Sequence, residues 1–191
     1  MNIERRRARR RSGRGDERGA AMVEFAIIAT VFLMLAFGTF EMGTAWSDSQ
    51  LVTQAARTGA RTATQLGQNA AADSFSVESI EAALGDLDDD VTRIVIFDAG
   101  AADGAMPPAR VAASPPGIVG SCSIYDKNDF GTYGAWVDGA WLPSARDDSF
   151  SGADYVGVSI DVARPYVTGF FSGSTFNITD TTVMRIEPET S

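Results

Sequence analysis

The sequence predicts an α+β fold: one long N-terminal helix, transmembrane at first and amphipathic beyond, packed on a small antiparallel sheet domain. Three observations carry that prediction. Residues 25–40 form an uncharged, mostly apolar run directly after an arginine cluster. A stripe of small apolar residues at helical spacing follows, and the first proline of the chain is Pro107. Segments rich in β-branched residues then recur at 91–97, 155–163 and 175–187, as strands of a sheet would.

Charge and composition limit what such a chain does. Of 16 basic and 25 acidic residues in the 191-residue chain, eight arginines and three acids fall within residues 1–18. That segment therefore carries +5 and the remainder −14, within a total of −9. An acidic body repels phosphate, which argues against nucleic acid as a partner. Hydrophobic residues at 45% suffice for a folded core. There is no histidine, which removes Ser-His-Asp and Cys-His catalysis and imidazole metal sites. Cys122 is the only cysteine, so no internal disulfide forms. No enzyme activity, cofactor or metal is expected.

From Ala20 to Trp46 the chain reads AAMVEFAIIATVFLMLAFGTFEMGTAW. The uncharged stretch between Glu24 and Glu41 covers about 24 Å as a helix, at about 1.5 Å per residue. A bilayer core of about 30 Å then requires Ala20–Val23 or the C-terminal flank as well. Trp46 stands where an interfacial aromatic anchor belongs, and the arginines beside the span hold the N-terminal side in the cytoplasm. The expected organisation is a basic cytoplasmic leader (1–19), a transmembrane helix (20–46), its extension outside the membrane (47–68) and an exported α+β domain (69–191). Glu24 is the unusual member, because a carboxylate at the centre of a span costs about 2.5–3.5 kcal/mol and less near the interface.

The surrounding residues give Glu24 a context. Arg18-Gly19-Ala20-Ala21-Met22-Val23-Glu24-Phe25 resembles the class III signal of type IV pilins, in which a membrane peptidase cuts after a glycine and glutamate is fifth in the mature chain. Together with Gln50-Leu51-Val52-Thr53-Gln54-Ala55-Ala56-Arg57, it is similar to the TadE-like minor pilins (pseudopilins) of tight-adherence (Flp) pili. Asp154–Val158 and Asp180–Pro188 also resemble members of that family, whereas the middle of the chain departs from those relatives that carry two cysteines there. The resemblance implies cleavage by prepilin peptidase between Gly19 and Ala20. It also implies a helix-bundle assembly role for Glu24 and Phe25. The implied partners are the inner-membrane bilayer, other pilins and pilus assembly proteins. The implied work is initiation, capping or assembly of the pilus, from a single-pass position in the cytoplasmic membrane or from the cell surface. Two alternatives stay open: a membrane-anchored exported binding domain that never polymerises, and an ordinary signal peptide cut near Gly43-Thr44-Ala45.

Beyond Trp46, Leu51/Val52, Ala55/Ala56, Gly59/Ala60, Ala63 and Leu66/Gly67 recur at spacings of three and four. Their small size invites close approach of another element, and Gly67 is a suitable C-cap. Ser76 is expected to cap a short helix over 77–87, followed by the acidic turn Asp86–Asp90 and a central strand over 91–97. Residues 98–117 read as a long Ala/Gly/Pro loop, 118–125 as a weaker strand, and 155–163 and 175–187 as two further strands.

Candidate ligand sites in this domain are weak. Asp126-Lys127-Asn128-Asp129-Phe130-Gly131 opens like a calcium loop but has Phe130 at position five and Val137 at position twelve. Asp86–Asp90 reads as a solvated turn. Gly120-Ser121-Cys122-Ser123 lacks the nucleophile-elbow pattern. Asn177-Ile178-Thr179 is a common sequon, and Tyr133, Trp136 and Trp141 are expected in the core rather than in a recognition patch.

Overall fold

The computed structural model describes residues 13–106, 121–126, 141–168 and 175–188. Helix α1 spans Gly13–Leu66. Its contacts divide the chain into two compact units, Met1–Thr44 and Ala45–Ser191. The α1 helix ends as its sequence suggests: Gly67 takes a left-handed φ of 48°, and its N–H bonds to the Ala63 carbonyl at 3.1 Å.

Within the second unit, α2 (Ala72–Leu84) follows, running into a 3-10 turn at Gly85–Asp90. Four strands then form one antiparallel sheet: β1 (Val91–Asp98), β2 (Cys122–Asp126), β3 (Tyr155–Pro165) and β4 (Thr175–Arg185). Their spatial order is β2-β1-β3-β4. The expected α+β architecture is thus observed: a long N-terminal helix and a small antiparallel sheet.

The sheet is buried on both faces at its centre, as the β-branched content of β1 and β3 requires. Ile94 and Ile96 join Val156, Val158, Ile160 and Val162 in the main core. The α1 stripe Val52, Ala55, Ala56, Ala60 and Ala63 packs into the same core, with Ile80 and Leu84 of α2. On the opposite face Val95 and Phe97 meet Cys122 and Ile124 in a second cluster. Phe97 pairs across the ladder with Gly157, and its ring occupies the space a side chain there would need.

One expectation is corrected. The second helix begins at Ala72, so Ser76 is a buried interior residue rather than its N-cap. Its hydroxyl instead donates to the Gly59 carbonyl of α1 at 2.8 Å. An acceptor on another helix outweighs the usual preference of serine for a helix end. The helix also stops at Leu84, where the expected segment continued to 87.

Candidate functional site

The N-terminal part of α1 is apolar on every side and covered on none. Five successive residues, Val31–Leu35, are each more than half exposed; at about 100° per residue they sweep more than a full turn. None of the most apolar 18-residue stretch is buried, and the helix is long and apolar enough to cross a membrane. Such a surface is at home in lipid or among other apolar helices. Its hydroxyls are already satisfied. Thr30 Oγ1 donates to the Ala26 carbonyl at 2.8 Å and Thr39 Oγ1 to the Leu35 carbonyl at 2.6 Å.

On this helix Gly19, Ala20, Glu24 and Phe25 all lie within two turns, and all four are exposed, Phe25 by 73%. Ala20 and Glu24 are four residues apart and share a face. Nothing stands within 4 Å of where a Gly19 side chain would begin. The four residues come together as neighbours on one helix surface, not as a pocket.

Farther along, α1 becomes a packing element. Gly59 lies close against α2: a methyl group there would lie 2.5 Å from Ile80 Cγ1 and nearer still to Cδ1. Two sets of charges hold the surrounding elements. Arg164 Nε lies 3.3 Å from Asp48 Oδ2 on α1, while its Nη1 lies 2.5 Å from Asp90 Oδ2. The hydrogen bond to Asp90 is the main reason that the Arg164 pKa is raised, so this bridge stays charged.

The second set is fully buried. Arg146, just past a 3-10 turn at Pro143–Ala145, pairs with Asp73 in the first turn of α2. Its guanidinium sits over the Trp141 ring, 4.5 Å from the centroid, where the indole face meets nitrogens that lack hydrogen-bond acceptors. Burial raises the Asp73 pKa against the opposing pull of Arg146 and of a Tyr125 hydrogen bond. Burial, followed by Asp73, raises the Tyr125 phenol far above its ordinary value, so it acts as a donor. Residues 73 positions apart form this pair, and no local pattern announces it.

The other candidates fall away or lie outside the described residues. Trp141 is buried, as expected of a core residue, and so is Cys122. Tyr133, Trp136 and the calcium-like loop after Asp126 lie outside the described residues. Asp86–Asp90 folds as the 3-10 turn, and no cluster of three metal-ligating side chains occurs among the described residues. Asn177 is exposed on β4.

Residues 19–61 match the family model described as TadE-like protein. No curated protein and no solved structure matches the chain. The matched segment runs from Gly19 through the apolar run to the small-residue stripe that packs in the domain core, and ends at Arg61. TadE-like proteins are pilus-associated. Over residues 19–61 the chain is therefore similar to TadE-like proteins, a family associated with the Tad (Flp) pilus system.

Proposed function

We propose that this chain is a minor pilin, or pseudopilin, that helps to initiate, cap or assemble a Flp-type pilus from the cytoplasmic membrane. In this reading the arginine-rich leader stays in the cytoplasm and the domain beyond Trp46 is exported. Prepilin peptidase cuts between Gly19 and Ala20, and other pilins meet the exposed helix. The observation that carries the proposal is an exposed apolar helical run that opens beside a carboxylate, Glu24, a turn from Ala20.

The chemistry is that of register, not reaction. Cleavage creates an amine at Ala20 and removes the +5 leader. In a bundle of such helices, Glu24 of one chain pairs with the Ala20 amine of its neighbour, and Phe25 packs beside them. Pairing offsets the cost of holding either charge in lipid, so only one axial stagger is favourable. Gly19 itself eases cleavage, because glycine disfavours a helix interior by about 0.8–1.0 kcal/mol relative to alanine and so opens more readily.

The test is the mass of the chain extracted from membranes of a host that makes prepilin peptidase. An N-terminus at Ala20 is the expected result; an intact Met1 favours a tethered domain that never polymerises, and a start near Trp46 favours an ordinary signal peptide. Glu24→Ala should then lower incorporation into pili while leaving membrane insertion intact. Undiminished incorporation would remove the register role.

A further inference from the structure

Most described arginines of the Ala45–Ser191 unit are engaged within it. Arg93 pairs with Asp161, Arg146 with Asp73, and Arg164 with both Asp48 and Asp90. Arg185 reaches the Ala153 and Phe150 carbonyls at 3.4 Å. Arg57 and Arg61 differ: both are exposed, and neither side chain has an ion pair or hydrogen bond among the described residues. They stand one turn apart and share a side of α1 with Gln65, a further turn on. Like charges at that spacing repel, so this ridge gains from a negative partner.

Beside the ridge lies a groove between α1 and α2, about 430 Å³ in volume. Thr62, Gln65 and Leu66 form its α1 side, and Phe75, Glu78 and Ala82, at the spacing of one helix face, form its α2 side. The exposed lining is mostly apolar, and Phe75 stands 51% exposed at its edge. The hydroxyls within the groove are satisfied locally: Thr62 donates to the Thr58 carbonyl at 3.0 Å and Ser79 to the Ser76 carbonyl at 2.7 Å. Such a groove suits an apolar side chain rather than a polar ligand.

The far edge of the groove is acidic. Glu78 is exposed and pairs with no arginine among the described residues. Glu81 and Asp88 stand near it, close enough that Asp88 and Glu78 add to burial in raising the Glu81 pKa. Across this face the order is therefore a basic α1 ridge, an apolar groove and an acidic α2 edge. A partner of uniform charge would satisfy one edge and be repelled by the other. The surface does complement itself. Turned by a half-rotation about an axis along the groove, a second copy lays its Arg57 and Arg61 against Glu78 and its Phe75 against the groove.

We infer that two copies of this chain associate through the α1–α2 groove, with Phe75 of each seated in the groove of the other and Arg57 and Arg61 facing Glu78. The second halves of the two α1 helices then run in the same direction. Phe75 supplies most of the affinity, and the charged edges set the orientation. Every residue of this interface belongs to the Ala45–Ser191 unit, so the inference requires neither insertion of α1 in a membrane nor incorporation into a pilus.

The experiment uses the full chain in detergent micelles, with Arg61→Lys supplying an amine at unchanged charge. A zero-length carbodiimide joins that amine only to a carboxylate in contact with it. Isotopically light and heavy chains are mixed, so mass spectrometry separates links between copies from links within one. The expected product is an interchain link from position 61 to Glu78. No such link, or one only within a chain, would overturn the inference. A link from position 61 to a different protein in cell membranes, with none between copies, would overturn it equally. Sedimentation at several concentrations then reads the strength of the pair. Phe75→Ala should weaken it at least about tenfold. Arg57→Glu with Arg61→Glu should weaken it, as should Glu78→Arg, and all three together should restore it. Association that ignores these changes would lie elsewhere on the chain and reject the groove. The cross-link needs only the conservative variant, so it decides the question even where a charge reversal unfolds the domain.

Discussion

Gly59→Ala tests a close contact between α1 and α2, because propensity and packing there predict opposite signs. In an exposed helix the change would stabilise by about 0.8–1.0 kcal/mol. Here the new methyl group would lie 2.5 Å from Ile80 Cγ1, where carbon atoms normally rest at about 3.5–4.0 Å. Ile80 is completely buried and branched at Cβ, so it has little room to swing away. Overpacking of this kind costs about 1–3 kcal/mol. Separating the helices also weakens the Ser76–Gly59 hydrogen bond, for about a further 1 kcal/mol. The net expectation is a loss of about 1–3 kcal/mol after the propensity gain is subtracted. Urea unfolding of the detergent-solubilised full chain, followed by tryptophan fluorescence, measures it. A double-mutant cycle isolates the cause: in an Ile80→Ala background the clashing atoms are gone, and Gly59→Ala should become neutral or stabilising. An equal penalty in both backgrounds would refute the close-contact argument.

Three further outcomes follow from the same domain. Asp73→Ala strands Arg146 in the core and should cost about 3–5 kcal/mol, whereas Asp73→Leu with Arg146→Met should cost far less, as denaturant midpoints would show. Glu81 has a pKa raised above 4.5, first by burial and then by Asp88 and Glu78, and its Oε1 is buried without a hydrogen bond. The folded state therefore binds its proton more tightly than the unfolded state, and stability falls as pH rises from 4.5 through the folded pKa. Glu81→Gln should melt higher than wild type at neutral pH, with the gap closing in acid; a gap that ignores pH would contradict this. Gly157→Ala would put a methyl group 2.5 Å and 2.6 Å from two Phe97 ring carbons and should lower the melting temperature through a loss of about 1–3 kcal/mol.

How far the sequence could be read depended on the range of the interaction responsible. Helix α1 was legible from Ala20 to its end, because an uncharged run and a stripe at spacings of three and four are local signals, whereas its start at Gly13 lies within the segment read as a leader. The three better strands were legible because β-branched residues cluster in them, and the observed β1, β3 and β4 differ from the expected segments mainly at their ends. Ser76 misled because its partner, the Gly59 carbonyl, lies 17 residues away on another helix. Arg146 carried no signal at all: an isolated arginine after Leu142-Pro143-Ser144-Ala145 looks like surface, and only the fold brings it to Asp73. Gly19 and Glu24 present the reverse case. Their proposed roles come from a motif, and both are exposed among the described residues.

Side-chain size along α1 has a physical logic that links these observations. Lipid tails are as apolar as leucine, so a span gains little by hiding large side chains from them, and Phe25, Phe32 and Leu35 stay exposed. In water the same residues would form a hazardous patch, and the helix changes character after Trp46. Its buried positions there are Val52, Ala55, Ala56, Ala60 and Ala63. Small residues bring backbones close, and close backbones permit a bond such as Ser76 to Gly59, which larger side chains would block. Close packing of this kind specifies one register, whereas the smooth apolar surface of the span specifies none on its own. A register for the span must come from a polar group, and between Glu24 and Glu41 the run offers no charged one. In the proposed assembly Glu24, at its start, is the group that sets how this helix meets another.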